Sequence, residues 1–222
     1  MRGPDGDYAD WLRVHYKPAI GEHTPHHLSP YLKLGQTALE IGCGAGSVCY
    51  FLAKHGVKAL GIDINAVSIA EARSREKTTS PGWPRFEVSD ILTRQLRQAF
   101  DLVLMIRVLT CFSDKSAWHE TLARARESLK PGGLIWIHDF LSTPDSPIYG
   151  PRYERAVTLG MRPGNFLVES DGKTLFVAHH HSDPEILEIT EPYETLSLAS
   201  HDSVSMNGNA CRMFRFLGRR PL

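Results

Sequence analysis

The chain of 222 residues lacks a long hydrophobic run and has no bias toward charge of one sign. Lys plus Arg number 25, as do Asp plus Glu, so we expect no general attraction to nucleic acid or to an acidic membrane surface. No run approaches the ~18 apolar residues of a membrane-spanning helix. The first thirty residues mix charged with apolar side chains and lack the apolar segment of a signal peptide. We therefore expect a cytoplasmic protein that binds neither nucleic acid nor a membrane.

Cysteine is scarce, and its spacing does not indicate disulfides or a metal site. The four cysteines lie within or beside apolar runs and include no C-x-x-C pair. Cysteines in such positions behave as small buried hydrophobic side chains in a reducing compartment. We expect free thiols at Cys43, Cys49, Cys111 and Cys211.

From residue 37 onward, strand-like segments alternate with helix-like segments. This alternation is typical of parallel strands joined by crossover helices. The last two strand-like segments are joined by a tight turn at Asn207-Gly208, so they must be antiparallel neighbours. We predict an α/β fold with a Rossmann-like, seven-stranded and mostly parallel sheet, an antiparallel last strand and helices on both faces. The expected strands are "TALEIG", "VKALGID", "RFEVSD", "FDLVLMI", "LIWIHDF", "YETLSLAS" and "ACRMFRFL", with a turn at "KPGG".

The length suits one domain, so we predict a single domain over residues 1–222. Within it, residues 1–35 are predicted to be an N-terminal lid or cap. Residues 142–181 are predicted to be an insertion after the fifth strand, on the substrate side. A β-hairpin is expected there because Asp171-Gly172 joins two strand-like segments.

The stretch "ALEIGCGAG" places three glycines at alternate positions after an apolar run. Gly42, Gly44 and Gly46 allow the backbone to approach a ligand closely and to adopt angles that other residues avoid. Ser47 stands where a dinucleotide-binding turn has its last glycine, which weakens the prediction of a pyrophosphate ligand. Asp63 follows Gly46 by 17 residues, about the interval at which an acidic residue reaches ribose hydroxyls in such folds. These features predict a nucleoside site.

Four motifs taken in order resemble the class I S-adenosylmethionine-dependent methyltransferases. They are "LEIGCGAG", the acidic Asp63 at the end of the second strand, "SDI" at residues 89–91 and "LKPGG" before the fifth strand. The resemblance extends over most of the chain and is strongest over residues 37–140. It implies S-adenosylmethionine as the cofactor.

The resemblance also implies specific contacts. Asp63 would hold the ribose, Ile64 would pack on the adenine, Asp90 would accept from the adenine amino group, and Glu40 would lie near the methionine portion. The full set of implied cofactor-binding residues is Glu40, Gly42, Cys43, Gly44, Gly46, Asp63, Ile64, Asp90, Ile91 and Ile106.

The ends of the fourth and fifth strands should face the reacting group, because ligands of open α/β sheets bind outside the carboxyl ends of the strands. Arg107 ends the fourth strand and is a candidate substrate contact. His138 and Asp139 end the fifth strand, and only one of them is expected to face the site, because side chains alternate along a strand. We favour Asp139 as the catalytic base, with His138 as the alternative. A loop-bracing role for both is the structural alternative.

Aromatic and histidine residues elsewhere give further substrate-side candidates. Tyr8, Trp11 and Tyr16 form either the core of an N-terminal helix or a lid whose rings attract a sulfonium cation, and Phe176 could act in the same way. In "AHHHSDP", no Asp, Glu or Cys at a recognised ligand spacing joins the histidines, so we predict no metal site. His180 or His181 is instead expected to face the crevice from the hairpin, and His180 is the candidate substrate contact.

The predicted function is methyl transfer to a small-molecule acceptor by in-line displacement. The neutral charge and an insertion that could close the crevice favour a small, enclosed substrate. The alternative is a cyclase of the same fold that consumes S-adenosylmethionine alone and forms azetidine-2-carboxylate and methylthioadenosine. An inactive binding module is disfavoured, because the glycines and Asp63 are all retained. The acceptor and the oligomeric state stay open.

Overall fold

The computed structural model describes residues 25–75, 82–170, 172–205 and 207–222. A 3-10 helix at His26–Tyr31 precedes the first strand, and a second one, Leu109–Cys111, follows the fourth. The helices are α1 (Ser47–Lys54), α2 (Ala66–Ser74), α3 (Lys115–Ser128), α4 (Gly150–Thr158) and α5 (Asp183–Thr190). The strands are β1 (Thr37–Ile41), β2 (Lys58–Asp63), β3 (Arg85–Val88), β4 (Phe100–Ile106), β5 (Leu129–Leu141), β6 (Asn165–Ser170), β7 (Lys173–His179), β8 (Glu194–Val204) and β9 (Ala210–Arg219).

Seven strands form one sheet in the order β3-β2-β1-β4-β5-β9-β8. Strands β1 to β5 pair in parallel, and β9 runs antiparallel to both of its neighbours. The last strand in the chain therefore lies inside the sheet, because its tight turn places β8 on the outer edge. This arrangement confirms the predicted fold class, including the antiparallel last strand.

Two hydrophobic clusters cover the two faces of the sheet. Trp118 on α3 is buried on one face, and Trp136 on β5 belongs to the cluster on the other, with residues of α1 and α2. Helices α2 and α3 start at polar caps that satisfy some of their first backbone amides. The Asn65 side chain accepts from two amides of α2, and the Asp114 side chain accepts from one amide of α3.

The tetrapeptide "KPGG" is part of β5 instead of the predicted turn. Phe100 pairs with Leu129, but Leu102 pairs with Leu134, so β5 accommodates three extra residues between these two pairs. Gly132 supports this irregularity with a φ of 75°. The prediction of a turn was wrong because glycine and proline are compatible with a bulge as well as with a turn.

The insertion contains the predicted hairpin and an additional helix. Strands β6 and β7 pair antiparallel as a separate two-stranded sheet. Helix α4 was not predicted, because it begins with Gly150 and Pro151, a dipeptide that is typical of turns. A third hydrophobic cluster, which includes Phe140, Tyr149 and Phe166, packs the insertion against the end of β5.

Three further expectations concern the N-terminal aromatic residues, the cysteines and membrane-spanning helices. Tyr8, Trp11 and Tyr16 lie outside the described residues. All four cysteines are free, and three of them are buried. None of the helices in the described ranges is long and apolar enough to span a membrane.

Candidate functional site: a glycine turn and the carboxyl ends of β1, β2, β4 and β5

The three glycines after β1 all have positive φ, but they differ in what surrounds them. The φ angles of Gly42, Gly44 and Gly46 are 69°, 51° and 79°. A Cβ atom at Gly42 would lie 2.7 Å from Val108, and one at Gly46 would lie 2.5 Å from the Phe86 ring. A Cβ atom at Gly44 would meet no described atom within 4 Å. Gly42 and Gly46 thus serve close packing, whereas Gly44 borders open space in which a ligand can lie.

Asp63 joins the ends of β1 and β2. Its Oδ2 accepts from the Gly44 amide at 2.8 Å, and its Oδ1 accepts from the Asn65 amide at 2.8 Å. Burial raises the pKa of Asp63, and the two amide bonds partly oppose this effect. Each carboxylate oxygen has further acceptor capacity. Asp63 therefore fixes the glycine turn and can also accept from hydroxyl groups of a ligand.

Glu40 is a buried carboxyl group near the same turn. Its Oε2 accepts from the Cys49 amide at 3.1 Å and from the Cys49 thiol at 2.9 Å. Burial raises the pKa of Glu40 to about 8, and the nearby Asp63 adds to the rise. The Cys43 side chain is buried as well, since a Cβ atom at Gly61 would lie 2.8 Å from its sulfur. A ligand could thus meet Cys43 only through its backbone.

The remaining predicted cofactor residues lie at strand ends with different exposure. Ile64 and Ile106 are half-buried, so part of each side chain is available to a ligand. Asp90 is half-buried, and its Oδ1 accepts from the Leu92 amide at 2.9 Å. That bond matches the turn role that a single Asp often has after a strand. Ile91 is buried in the core, where its side chain packs away from solvent.

His138 and Asp139 point to opposite faces of the sheet. Asp139 is fully buried, and its Oδ2 accepts from the amides of Leu109 and Thr110 at 2.8 and 3.2 Å. Its Oδ1 accepts from the Phe140 amide at 2.8 Å. Burial raises the pKa of Asp139 to about 7, although these three hydrogen bonds act to lower it. This geometry favours the loop-bracing alternative for Asp139, because the carboxylate holds the 3-10 helix that follows β4.

His138 lies on the face of Trp136 and contacts His201 on β8, with 3.3 Å between the two Nε2 atoms. Arg215 is its pairing partner on β9 and shares that face. Burial and the charge of Arg215 lower the pKa of His201, and the same two causes lower that of His27. The sequence did not indicate His201, because its contact with His138 depends on pairing across two strands.

Arg107 occupies a strained position directly after β4. Its φ is 57°, a left-handed conformation that is uncommon for a non-glycine residue. Its amide donates to the His138 carbonyl at 2.8 Å. Its guanidinium is close enough to lower the pKa of both Asp139 and Cys211. Such strain is common at functional sites, and it places Arg107 beside the two candidate bases.

His180 is enclosed in the insertion, where its ring contacts four aromatic rings. These rings belong to Phe140, Tyr149, Tyr153 and Phe166. The Nδ1 atom of His180 lies 2.7 Å from the Tyr153 hydroxyl, and burial lowers the pKa of His180 to about 3. Phe176 is buried in the same cluster. In this structure His180 and Phe176 pack the hairpin against its surroundings. Their contact with a substrate stays a prediction.

The structure places a carboxylate beside two of the three consecutive histidines, although no recognised ligand spacing indicates it. The three residues His179, His181 and Glu185 are buried, and their potential ligand atoms lie within 4.8 Å of one another. A carboxylate does therefore join the histidines. The sequence did not indicate it because the turn at Ser182 returns the chain toward the hairpin.

Comparisons with known proteins agree with this geometry. Residues 39–135 match the family described as "Methyltransferase domain". A solved structure of a SAM-dependent methyltransferase from Methanosarcina mazei superposes with a TM-score of 0.84 at 25% identity, covering 91% of this chain and 100% of that one. Residues 39–135 thus match a methyltransferase domain, and the described residues have the class I methyltransferase fold. The N-methyltransferase NodS from Bradyrhizobium japonicum, solved with S-adenosylhomocysteine, has the same fold, with a TM-score of 0.64 and 18% identity over 97% of this chain and 100% of that one.

Curated methyltransferases match part of the chain. Phosphoethanolamine N-methyltransferase 1 of Triticum aestivum is 34% identical over 120 residues, which is 52% of this chain and 23% of that enzyme. Ubiquinone biosynthesis O-methyltransferase of Rhodopseudomonas palustris is 32% identical over 103 residues, 46% of this chain and 39% of that enzyme. The chain thus spans well under half the length of these relatives.

S-adenosylmethionine is the cofactor that these comparisons indicate, and the residues around the glycine turn fit it. The open side of Gly44 leaves room for a ligand beside Asp63, which has acceptor capacity for ribose hydroxyls. The buried Glu40 carboxyl group suits a cationic group, because a buried carboxylate is costly without a partner.

Proposed function

We propose that this methyltransferase transfers a methyl group from S-adenosylmethionine to a small-molecule acceptor. The observation that carries the proposal is the open side of Gly44, next to the Asp63 carboxylate, with the buried Glu40 carboxyl group in the strand before the same turn. When bound, the cofactor supplies an activated methyl group. The protein then has to align a nucleophile with it and remove a proton where the nucleophile carries one.

Asp63 and Glu40 are proposed to bind opposite ends of the cofactor. Asp63 would accept hydrogen bonds from ribose hydroxyls while it retains its hydrogen bonds from the amides of Gly44 and Asn65. Glu40 would face the cationic methionine portion. Ile64 and Ile106, both half-buried, would pack on the adenine and near the sulfonium. Backbone groups of Cys43 and Ile91 complete the proposed set.

His138 is proposed as the base on the acceptor side, in preference to Asp139. Three backbone amides donate to the Asp139 carboxylate, and two of them, those of Leu109 and Thr110, belong to the segment after β4. The ring of His138 instead meets a second imidazole, that of His201. In such a pair one nitrogen donates and the other accepts, so a proton taken by His138 can pass to His201.

A variant pair separates these two roles. His138→Gln is expected to reduce kcat about 10²-fold or more while changing stability little, the loss typical of a general base. Asp139→Asn is expected to lower the free energy of unfolding by about 2–5 kcal/mol, because an amide nitrogen cannot accept the bonds that the carboxylate accepts. Thermal unfolding and steady-state kinetics check both results. The assignment fails if His138→Gln keeps the original kcat.

Binding of the cofactor is expected to release a proton from Glu40 at pH 7. With a pKa of about 8, Glu40 is mostly protonated at pH 7 in the absence of ligand. A nearby cation favours the ionised form, so binding lowers this pKa and expels about one proton. Calorimetry in buffers of different ionisation enthalpy measures the number. Glu40→Gln serves as the control at the same pH and is expected to release none from this position.

Product analysis tests the proposed function. The protein is incubated with S-adenosylmethionine and a pool of small amines, phenols, thiols and carboxylic acids, and mass spectrometry follows the products. Acceptor-dependent S-adenosylhomocysteine, with a methylated pool member, supports the proposal. Methylthioadenosine formed without the pool would support the cyclase alternative instead. The matched family and the relatives named above are described as methyltransferases, so they give the cyclase alternative no specific support.

A further inference from the structure

Three buried side chains meet where the hairpin joins α5. His179 ends β7, His181 follows it, and Glu185 lies in the first turn of α5. We propose that His179, His181 and Glu185 bind a divalent metal ion of the zinc type and that Arg162 occupies its place when the metal is absent. This site is separate from the glycine turn and from the His138–His201 pair.

The orientation of His179 is set by its neighbours. The Asn165 Nδ2 donates to the Ser113 carbonyl at 3.2 Å, which directs its Oδ1 to His179 Nδ1 at 2.7 Å. Nδ1 therefore carries the proton, and Nε2 presents a lone pair. A hydrogen bond to the second ring nitrogen of this kind is what metal-binding histidines usually have.

The lone pair of His179 faces a second acceptor. Its Nε2 lies 3.2 Å from Glu185 Oε2, close to the ~3.3 Å that separates two ligand atoms of tetrahedral zinc. Two acceptors at this distance repel each other unless a cation lies between them. The Ser182 amide and hydroxyl bind the same carboxylate oxygen at 2.8 and 2.9 Å and fix its orientation.

The ring nitrogens of His181 are buried and are not accounted for by local hydrogen bonds. Its side chain is fully buried, and neither ring nitrogen has a hydrogen-bond partner among the described residues. The ring stacks on Trp118 and lies 4.9 Å from the His179 ring, centre to centre. A buried polar group without a partner costs about 1–3 kcal/mol. Coordination of a metal would use this nitrogen, after a small shift of the ring.

The protonation states are those that a metal requires. Burial lowers the pKa of His179 and of His181, so both rings are neutral at pH 7. The Ser182 amide and the Arg162 guanidinium both donate to Glu185, which favours its ionised form. Two neutral imidazoles and one carboxylate need to lose no proton before they bind a divalent ion.

Arg162 now supplies the positive charge. One of its terminal nitrogens lies 2.9 Å from His179 Nε2 and also contacts Glu185 Oε1. The other terminal nitrogen is buried without a partner in the described residues. The guanidinium lies over the Trp118 ring at 5.6 Å, and 17% of the side chain is exposed. A guanidinium in this position competes directly with a metal and has a path to solvent when it is displaced.

A metal at this place would stiffen the acceptor side of the protein. The His181 amide donates to the Phe140 carbonyl at 3.0 Å, and its carbonyl accepts from the Ser142 amide at 2.8 Å. His181 is thus bonded to the end of β5, two residues beyond His138. Coordination would hold the hairpin, α5 and this strand end together.

Titration of the purified full-length chain with Co²⁺ tests the proposal, because tetrahedral cobalt has strong visible absorption that a six-coordinate ion lacks. Arg162→Ala removes the competing charge and is expected to bind Co²⁺ at least tenfold more tightly than the original chain. His181→Ala is expected to lose at least 100-fold of that affinity. His119→Ala is the matched control, because His119 is an exposed histidine paired with Glu188, and it should leave binding unchanged.

The Arg162 variant decides the question even where a histidine variant fails to fold. Tighter binding with the tetrahedral spectrum supports the site, and added Zn²⁺ should remove that spectrum by competition. The proposal is overturned if Arg162→Ala binds Co²⁺ no more tightly than the original chain, or if its spectrum is that of a six-coordinate ion.

Discussion

Gly46→Ala is expected to lower the unfolding temperature by roughly 10 °C, whereas Gly44→Ala is expected to leave a folded protein that binds S-adenosylmethionine poorly. Both residues have positive φ, which costs an alanine about 1–2 kcal/mol. At Gly46 the new Cβ atom would also lie 2.5 Å from the Phe86 ring, an overlap worth about 1–3 kcal/mol more. A chain of this size loses roughly 2–4 °C for each kcal/mol.

At Gly44 the added methyl group meets no atom of the described residues within 4 Å and points into open space. If that space holds the cofactor, the methyl group displaces it, and we expect affinity to fall at least tenfold. Gly35→Ala is the matched control, because Gly35 also has positive φ and open surroundings but precedes β1, at the opposite end of the strand. Equal cofactor affinity in the Gly44 and Gly35 variants would contradict the placement of the ligand.

Asp63→Ala is expected to weaken cofactor binding about 100-fold. The substitution removes the proposed acceptor for the ribose hydroxyls and also the two bonds that fix the Gly44 and Asn65 amides. Bonds to a charged group contribute about 1.5–3 kcal/mol each, and 1.4 kcal/mol corresponds to tenfold in affinity. Calorimetric titration with S-adenosylhomocysteine measures the change.

Glu71→Ala is the control for Asp63, because Glu71 is an exposed acid on α2 whose contact is a surface ion pair with Arg75. It should bind the ligand as the original chain does. The alanine variant loses both the proposed ribose acceptor and the bonds to the backbone amides. Asp63→Asn helps to separate these two losses, because its amide oxygen can still accept one of the backbone bonds. Unchanged affinity in Asp63→Ala would remove this residue from the site.

The glycine turn and Asp63, which form the proposed cofactor side of the site, could be predicted from sequence because the turn is local. Gly42, Gly44 and Gly46 lie within one turn, and their spacing alone indicates positive φ angles and close approach. Asp63 could be placed by its interval from the turn, since parallel strands end at one edge of the sheet. The sequence could not show that the glycines have different surroundings, with Gly46 packed on Phe86 and Gly44 bordering open space.

The proposed acceptor side and the proposed metal site could not be predicted, because both depend on contacts between distant parts of the chain. Alternation along β5 predicts that His138 and Asp139 face opposite ways, but it cannot say which face carries a partner. His201 lies 63 residues from His138 and meets it only because β9 inserts between β5 and β8. Glu185 reaches His179 through a turn whose geometry no ligand-spacing rule describes. Both contacts required the three-dimensional structure.

A crystal structure with S-adenosylhomocysteine would test the central claim most directly. We expect the ribose at Asp63, the amino acid portion near Glu40, the purine against Ile64, and the sulfur directed to the face of the sheet that carries His138. Density for the ligand elsewhere, or a sulfur directed to the Asp139 face, would contradict the proposed assignment of cofactor and base.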